Sequence, residues 1–166
     1  ECLADVGEPE IAQASAALLK SLEVATLAGK TFLDVGSGSG LSSLVAYRAG
    51  ARVVSFDFDP RSVACTEELR ARSRAHDEEW HVLRGSILDA EFVASLGFFD
   101  VVYSWGVLHH TGAMWRALDQ TITRVALGGR LFIALYNDQG LASRYWRLVK
   151  KTYNRSRLHS LAMLAV

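Results

Sequence analysis

The chain has 166 residues, half of them apolar and 22% charged, which suffices for one globular domain with a real core. Its 18 Lys+Arg balance 18 Asp+Glu, so net charge gives no sign of a nucleic-acid binder or an acidic tail. No apolar run reaches the about 20 residues that span a bilayer, and Cys2 and Cys65 fit no metal-ligand spacing, so they read as reduced thiols in a cytoplasmic protein.

Residues 9–27 place Ile11, Ala14, Leu18, Leu22 and Ala25 at helical spacing. "TFLDV" then reads as a short buried strand, and residues 41–49 as a helix closed by Gly50. "RVVSFD" is a second strand, residues 62–74 a charged helix, and "WHVLRG" a third strand. "FFDVVYSW" is a fourth strand, rich in β-branched and aromatic residues. Residues 115–126 form a helix, "GGRLFIALY" a fifth strand, and residues 140–153 a basic helix. Strand and helix alternate, and the strands are continuous apolar runs, as they are when both sheet faces are covered. The fold expected is a doubly wound, Rossmann-like α/β sheet, mostly parallel.

In such a sheet, ligands bind where the carboxyl ends of the strands meet the first strand–helix turn. That turn is "DVGSGSG". Gly36 makes the tight turn, and Gly38 leaves the backbone bare for a ligand. Gly40 opens a helix whose N–H groups attract an anion. The dinucleotide fingerprint wants its third glycine one place later, where Leu41 stands, so the loop suits a carboxylate better than a pyrophosphate. Asp57 ends the second strand, seventeen residues after Gly40, where a carboxylate accepts hydrogen bonds from both ribose hydroxyls. Phe58 can pack on a purine, and Asp59 caps the helix that Pro60 begins. The plainer alternative for the loop is a glycine turn without a ligand.

"LDVGSGSG", the Asp57 strand, "FDVVYSWGVLHH" and "GGRLFIALYN" together resemble class I S-adenosylmethionine-dependent methyltransferases, in the right order over residues 29–137. The resemblance is nearest to the ubiquinone- and menaquinone-type branch. It implies S-adenosyl-L-methionine as cofactor, with Asp34 and the loop of Gly36, Ser37, Gly38 and Gly40 on its methionine part and Asp57 on its ribose. Ser104 and Trp105 would line the cofactor. In the family an acid directly after a glycine often reads the adenine amino group. Here Gly85 is followed by Ser86, so Ser86 and the Ile87 backbone do the reading, or Asp89 reaches in. A complete fold of the family has seven strands, of which five are visible. The chain begins at Glu1 and stops in apolar "LAMLAV", so we expect a piece of a longer protein. The expected division of this single domain is an N-terminal helix in 1–28, the core in 29–137, and a basic helix with a cut end in 138–166.

Methyl transfer from a sulfonium is a direct displacement, in which the protein aligns the partners and excludes water. His109 and His110, just past the fourth strand, are the candidate bases; the alternative is a packing and capping role for "LHH". His76, His81 and His159 read as surface residues, and no metal site is expected. Tyr136, Asn137 and Asp138 are substrate-side candidates or simply a polar turn. After them come Arg144, Arg147, Lys150, Lys151, Arg155 and Arg157 without an acid, a face for an anionic substrate, RNA or a membrane surface, or a solvated helix. The expected activity is methyl transfer to a small-molecule acceptor, with nucleic acid unexpected as a partner, peripheral membrane contact through the basic helix open, and the oligomeric state unread. Two other readings stand beside it: a nicotinamide-dependent oxidoreductase, and a non-catalytic cofactor-binding or interaction module.

Overall fold

Apolar runs that alternate with helices bury both faces of a sheet, and the strands assemble accordingly. In the computed structural model, which describes residues 7–136 and Gly140, the strands are β1 (Thr31–Val35), β2 (Arg52–Asp57), β3 (Trp80–Arg84), β4 (Phe99–Trp105) and β5 (Val125–Ala134). All pairings are parallel, in the order β3-β2-β1-β4-β5. β1 is central and pairs on both sides, with Asp34 opposite Ser55 of β2 and Tyr103 of β4. The strand order reverses beside β1, which is where a doubly wound sheet opens a crevice.

The helices are α1 (Glu8–Ser21), α2 (Leu41–Arg48), α3 (Pro60–Arg72), α4 (Ala90–Ser95) and α5 (Met114–Ile122), with a 3-10 turn at Leu108–His110. One face of the sheet packs Phe32, Val53, Trp80 and Tyr103 against Ile11 and Leu18 of α1, Leu44 and Val45 of α2, and Val63 and Leu69 of α3. The other packs Leu33, Val35, Phe56 and Val102 against Val93 of α4, Leu108 of the turn and Ala117 of α5.

Local chemistry sets several boundaries differently from the sequence pattern. α3 starts at Pro60, two residues early, because Asp59 caps it by accepting from the Arg61 N–H at 3.1 Å and proline suits the first helical position. α1 ends at Ser21 rather than 27, since Glu23 turns the chain with a φ of +53°. α5 stops at Ile122 rather than 126, where the Phe99 N–H takes the Arg124 carbonyl and draws the chain into the sheet. β5 therefore begins at Val125. Its partner register moves from Val125 opposite Phe99 to Arg130 opposite Val101, so residues 126–129 bulge out. α4 and the 3-10 turn are short enough to carry no periodic signal. Cys65, on α3, is disulfide-bonded, not the reduced thiol expected, and the cysteine argument for a reducing compartment falls with it.

Among the described residues five strands form the sheet, and none pairs with the outer edge of β5. None of their helices is long and apolar enough to cross a membrane. The chain divides into two units, 1–135 and 136–166. Asn137, Asp138 and the basic helix expected over 140–153 lie outside the described residues apart from Gly140.

At the amino end of the central strands, Thr31 and Asp100 bond reciprocally. The Thr31 N–H and hydroxyl donate to Asp100 Oδ2 at 2.9 and 3.0 Å, and the Asp100 N–H donates to Thr31 Oγ1 at 2.9 Å. Those donations hold the Asp100 carboxyl below its usual range. Thr31→Val keeps the shape and removes the hydroxyl, leaving the Asp100 N–H without its acceptor. The cost should be about 1–2 kcal/mol, read as a Tm several degrees lower by calorimetry.

Candidate functional site

The crevice beside β1 is built by three short segments. Residues 36–40 leave β1. The Gly36 and Ser37 N–H groups both donate to the Phe56 carbonyl, at 2.9 and 3.0 Å, which ties the loop to β2. Gly36 has a φ of +77°, and a Cβ there would stand 2.5 Å from Val107 Cγ1, so neither the backbone nor the space admits a side chain. Gly38 differs. Its φ of +56° also favours glycine, but a Cβ there would meet nothing within 4 Å, so this turn leaves open space above it.

Asp57, at the carboxyl end of β2, holds the loop in this shape. Its Oδ2 accepts from the Gly38 N–H and its Oδ1 from the Asp59 N–H, both at 2.9 Å. Each carboxylate oxygen keeps a second lone pair, and Asp57 is only partly buried. Behind the loop, Ser37 Oγ lies 3.1 Å from Thr66 Oγ1, whose hydroxyl also reaches the Gly38 carbonyl at 3.3 Å.

A cavity of about 380 Å³ opens next to Asp57. Val35, Gly36, Phe56, Asp57 and Phe58 form one side, residues 85–88 another, and Val107, His110 and Thr111 close it. The lining is mostly apolar with one carboxylate and a few hydroxyls, the pattern of a small-molecule site. It gathers Gly36, Asp57, Phe58, Ser86, Ile87 and His110 from the residues expected at the site. Val35, Phe56, Leu88, Val107 and Thr111 join them without having been singled out. Val107 had a legible signal, because a lone valine between Gly106 and the 3-10 turn must pack somewhere, and it packs on Gly36.

The remaining expected residues lie outside that lining. Asp89 caps α4, accepting from the Glu91 and Phe92 N–H groups at 3.1 Å. Ser104 is buried and donates to the Val35 carbonyl at 3.1 Å. Trp105 lies on the opposite sheet face, its ring stacked near Tyr103 and Phe132 beside a hollow of about 300 Å³ between α1 and α2. His109 is half-buried with its ring centroid 4.0 Å from that of His110; burial, then the neighbouring His110, lowers its pKa below the usual 6.5.

Asp34 is buried on β1. Its Oδ2 accepts from the Ser43 hydroxyl at 2.6 Å. Burial pushes its carboxyl up to about 6, against the Ser43 bond and with the Asp57 charge adding to the rise. At pH 7 it is therefore still mainly ionised, and among the described residues it has no ion-pair partner. A buried carboxylate without a cation is costly.

With this geometry in place, comparison with known proteins gives a consistent result. Residues 10–165 match the family described as Methyltransferase domain, and the chain belongs to that family. A tRNA U34 carboxymethyltransferase from Methylococcus capsulatus is 34% identical over 121 residues, covering 73% of this chain and 36% of that protein. This chain spans about a third of the length of such curated relatives. An O-methyltransferase family protein from Burkholderia thailandensis superposes with a TM-score of 0.65 at 16% identity, covering 86% of this chain and 44% of that one. A coclaurine N-methyltransferase solved with N-methylheliamine and SAH bound superposes with a TM-score of 0.62 at 15% identity, over 78% of this chain and 37% of that one. These two likenesses show the Rossmann-like methyltransferase fold.

The Asp34 carboxyl makes the free protein's stability depend on pH. Its folded pKa of about 6 lies above the unfolded 3.8, so the folded state binds more protons between those values. The contribution of Asp34 to stability is therefore greatest below pH 4, declines as pH rises through 6, and then levels off. Asp34→Asn should abolish this dependence and stabilise the ligand-free protein at pH 7 by up to about 3 kcal/mol, measured by urea unfolding from pH 4 to 8.

Proposed function

We propose that this chain is the cofactor-binding part of an S-adenosylmethionine-dependent methyltransferase, and that the cavity beside Asp57 holds the nucleoside end of the cofactor. The observation that carries the reading is the Asp57 carboxylate. It is fixed by two backbone N–H groups, has lone pairs to spare, and borders an apolar cavity large enough for a nucleoside. Ribose hydroxyls are the donors such a carboxylate takes. Val35, Phe56, Ile87 and Val107 give apolar walls for a purine, and Ser86 with the Ile87 backbone gives it polar edges. The methionine end extends along residues 36–40 toward Asp34, whose uncompensated charge suits the cofactor's ammonium. That three-point demand of purine, diol and cation separates this cofactor from a nicotinamide dinucleotide, which offers no ammonium for Asp34.

Bound in this way, the cofactor supplies an electrophilic methyl group on a sulfonium. The chain's own contribution is alignment and exclusion of water. We place the acceptor toward Trp105, which shares the carboxyl rim of β4 with the cavity and borders the second hollow. For the acceptor we keep a small molecule as the first reading. The Methylococcus relative, a tRNA U34 carboxymethyltransferase, makes a polynucleotide the second, against the expectation that nucleic acid is no partner. We assign His110 to the cavity wall rather than to proton abstraction, because its ring lies with Asp57 and Ser86 around one hollow.

Asp57→Ala should weaken S-adenosylhomocysteine binding at least tenfold in calorimetry, about the loss of one charge-assisted bond or more. His110→Ala should weaken the same binding about three- to tenfold through lost wall contact. Unchanged affinity with a slower methyl transfer would return His110 to the role of base. Transfer of labelled methyl groups from the cofactor to a cell extract, followed by nuclease, protease and ultrafiltration, separates the acceptor classes.

A further inference from the structure

One line of polar atoms crosses the buried apolar face of the sheet. Trp80 on β3 donates its indole N–H to Ser55 Oγ on β2 at 2.7 Å. Ser55 Oγ lies 2.7 Å from Ser43 Oγ on α2, and the Ser43 hydroxyl donates to Asp34 Oδ2 on β1 at 2.6 Å. Trp80, Ser55 and Ser43 are wholly buried and Asp34 nearly so. The face they cross is otherwise packed with apolar side chains such as Phe32, Leu44, Val45 and Val53.

Counting protons gives the line a direction. An indole N–H donates and never accepts. When Asp34 is ionised, each member gives its proton to the next: Trp80 to Ser55, Ser55 to Ser43, Ser43 to the carboxylate. Reversing the line would require Asp34 to carry a proton on Oδ2 and give it to Ser43. Ser43 would then give its own to Ser55, whose oxygen would accept from both Ser43 and the indole while its own hydrogen leaves the line. The indole therefore favours the forward arrangement, in which Ser55 accepts one bond and donates the next, and with it favours Oδ2 as an acceptor. Aligned hydroxyls also polarise one another, which strengthens the last bond. The other titratable groups facing Asp34 are Asp57 from β2, whose charge opposes ionisation, and Tyr103 from β4; neither is part of the line.

We propose that Trp80 and Ser55 are positioning residues for the methionine end of the cofactor: from two strands away they set the direction of the hydroxyl line that holds Asp34 as an oriented carboxylate. The proposal rests on Asp34 serving the cofactor's ammonium. Neither residue lines the nucleoside cavity, so they act on the cofactor only through Asp34.

The test is calorimetric titration of S-adenosylhomocysteine from pH 5 to 8.5 into the wild type, Trp80→Phe, Ser55→Ala, Ser55→Thr and Asp34→Asn, each checked for folding by urea unfolding. Trp80→Phe and Ser55→Ala remove that bias toward the forward arrangement. Affinity at pH 8 should stay within about threefold of wild type, while the pH at which binding fails on acidification rises by about half a unit or more. Ser55→Thr keeps a hydroxyl and should restore the wild-type midpoint. Asp34→Asn should bind at least about tenfold more weakly and lose the pH step. An unmoved midpoint in Trp80→Phe and Ser55→Ala, with the step lost in Asp34→Asn, overturns the role of the line. A wild-type pH profile in Asp34→Asn instead overturns the assignment of Asp34 on which it rests. Destabilisation of Trp80→Phe by lost packing alone would not move the midpoint, and Ser55→Ala leaves the indole in place as an independent reading of the same effect.

Discussion

The site depends on one carboxylate gripped by two backbone N–H groups. Asp57 accepts from Gly38 on one oxygen and from Asp59 on the other, and so joins the turn after β1 to the turn after β2. A glycine-rich loop is costly to order because it has the most conformational freedom to lose. Here that cost is offset by short bonds from residues 36–38 to β2, together with the Thr66 hydroxyl on the Gly38 carbonyl. The same clamp leaves Asp57 with lone pairs directed at the cavity. On the proposed function, structure and binding draw on different electrons of the same two oxygens, and a ligand would meet a carboxylate that is already oriented.

Around that clamp the sheet separates two tasks. On the face of α4 and α5, the cavity is apolar and roomy, with one charged edge. On the face of α1 to α3, Asp34 carries a buried charge supported by hydroxyls and an indole. The two carboxylates stand on adjacent strands, and the Asp57 charge adds to the cost of ionising Asp34. On the proposed function, a ligand with a cation at one end and a diol at the other serves both carboxylates. This is why the reading favours an aminoacyl nucleoside over a dinucleotide, and it is an argument from charge that the family match does not supply.

The strands and the glycine loop were legible in the sequence, because apolar runs and alternate glycines are signals carried by adjacent residues. Asp57 at the cavity was legible from its distance to Gly40 and Phe58 from its place beside Asp57, whereas Ser86 and Ile87 came only with the family resemblance. What escaped was set by tertiary contact. Asp89 looks like a ligand acid but caps a six-residue helix too short to show a period. Trp105 looks like a neighbour of the loop, yet alternation along β4 sends its ring to the other face, with Tyr103. Val107 and Thr111 enter the cavity because the chain folds back in a 3-10 turn after β4. The hydroxyl line could not be read at all, since its four members come from four elements separated by up to 46 positions of sequence.

A crystal structure of the chain with S-adenosylhomocysteine tests the central claim most directly. The account predicts both ribose hydroxyls within about 2.6–3.2 Å of the Asp57 carboxylate, the purine in the cavity between Phe58 and Ile87, and the ammonium on the Asp34 side of the loop. A nucleoside bound elsewhere, with Asp57 still held only by Gly38 and Asp59, would contradict it.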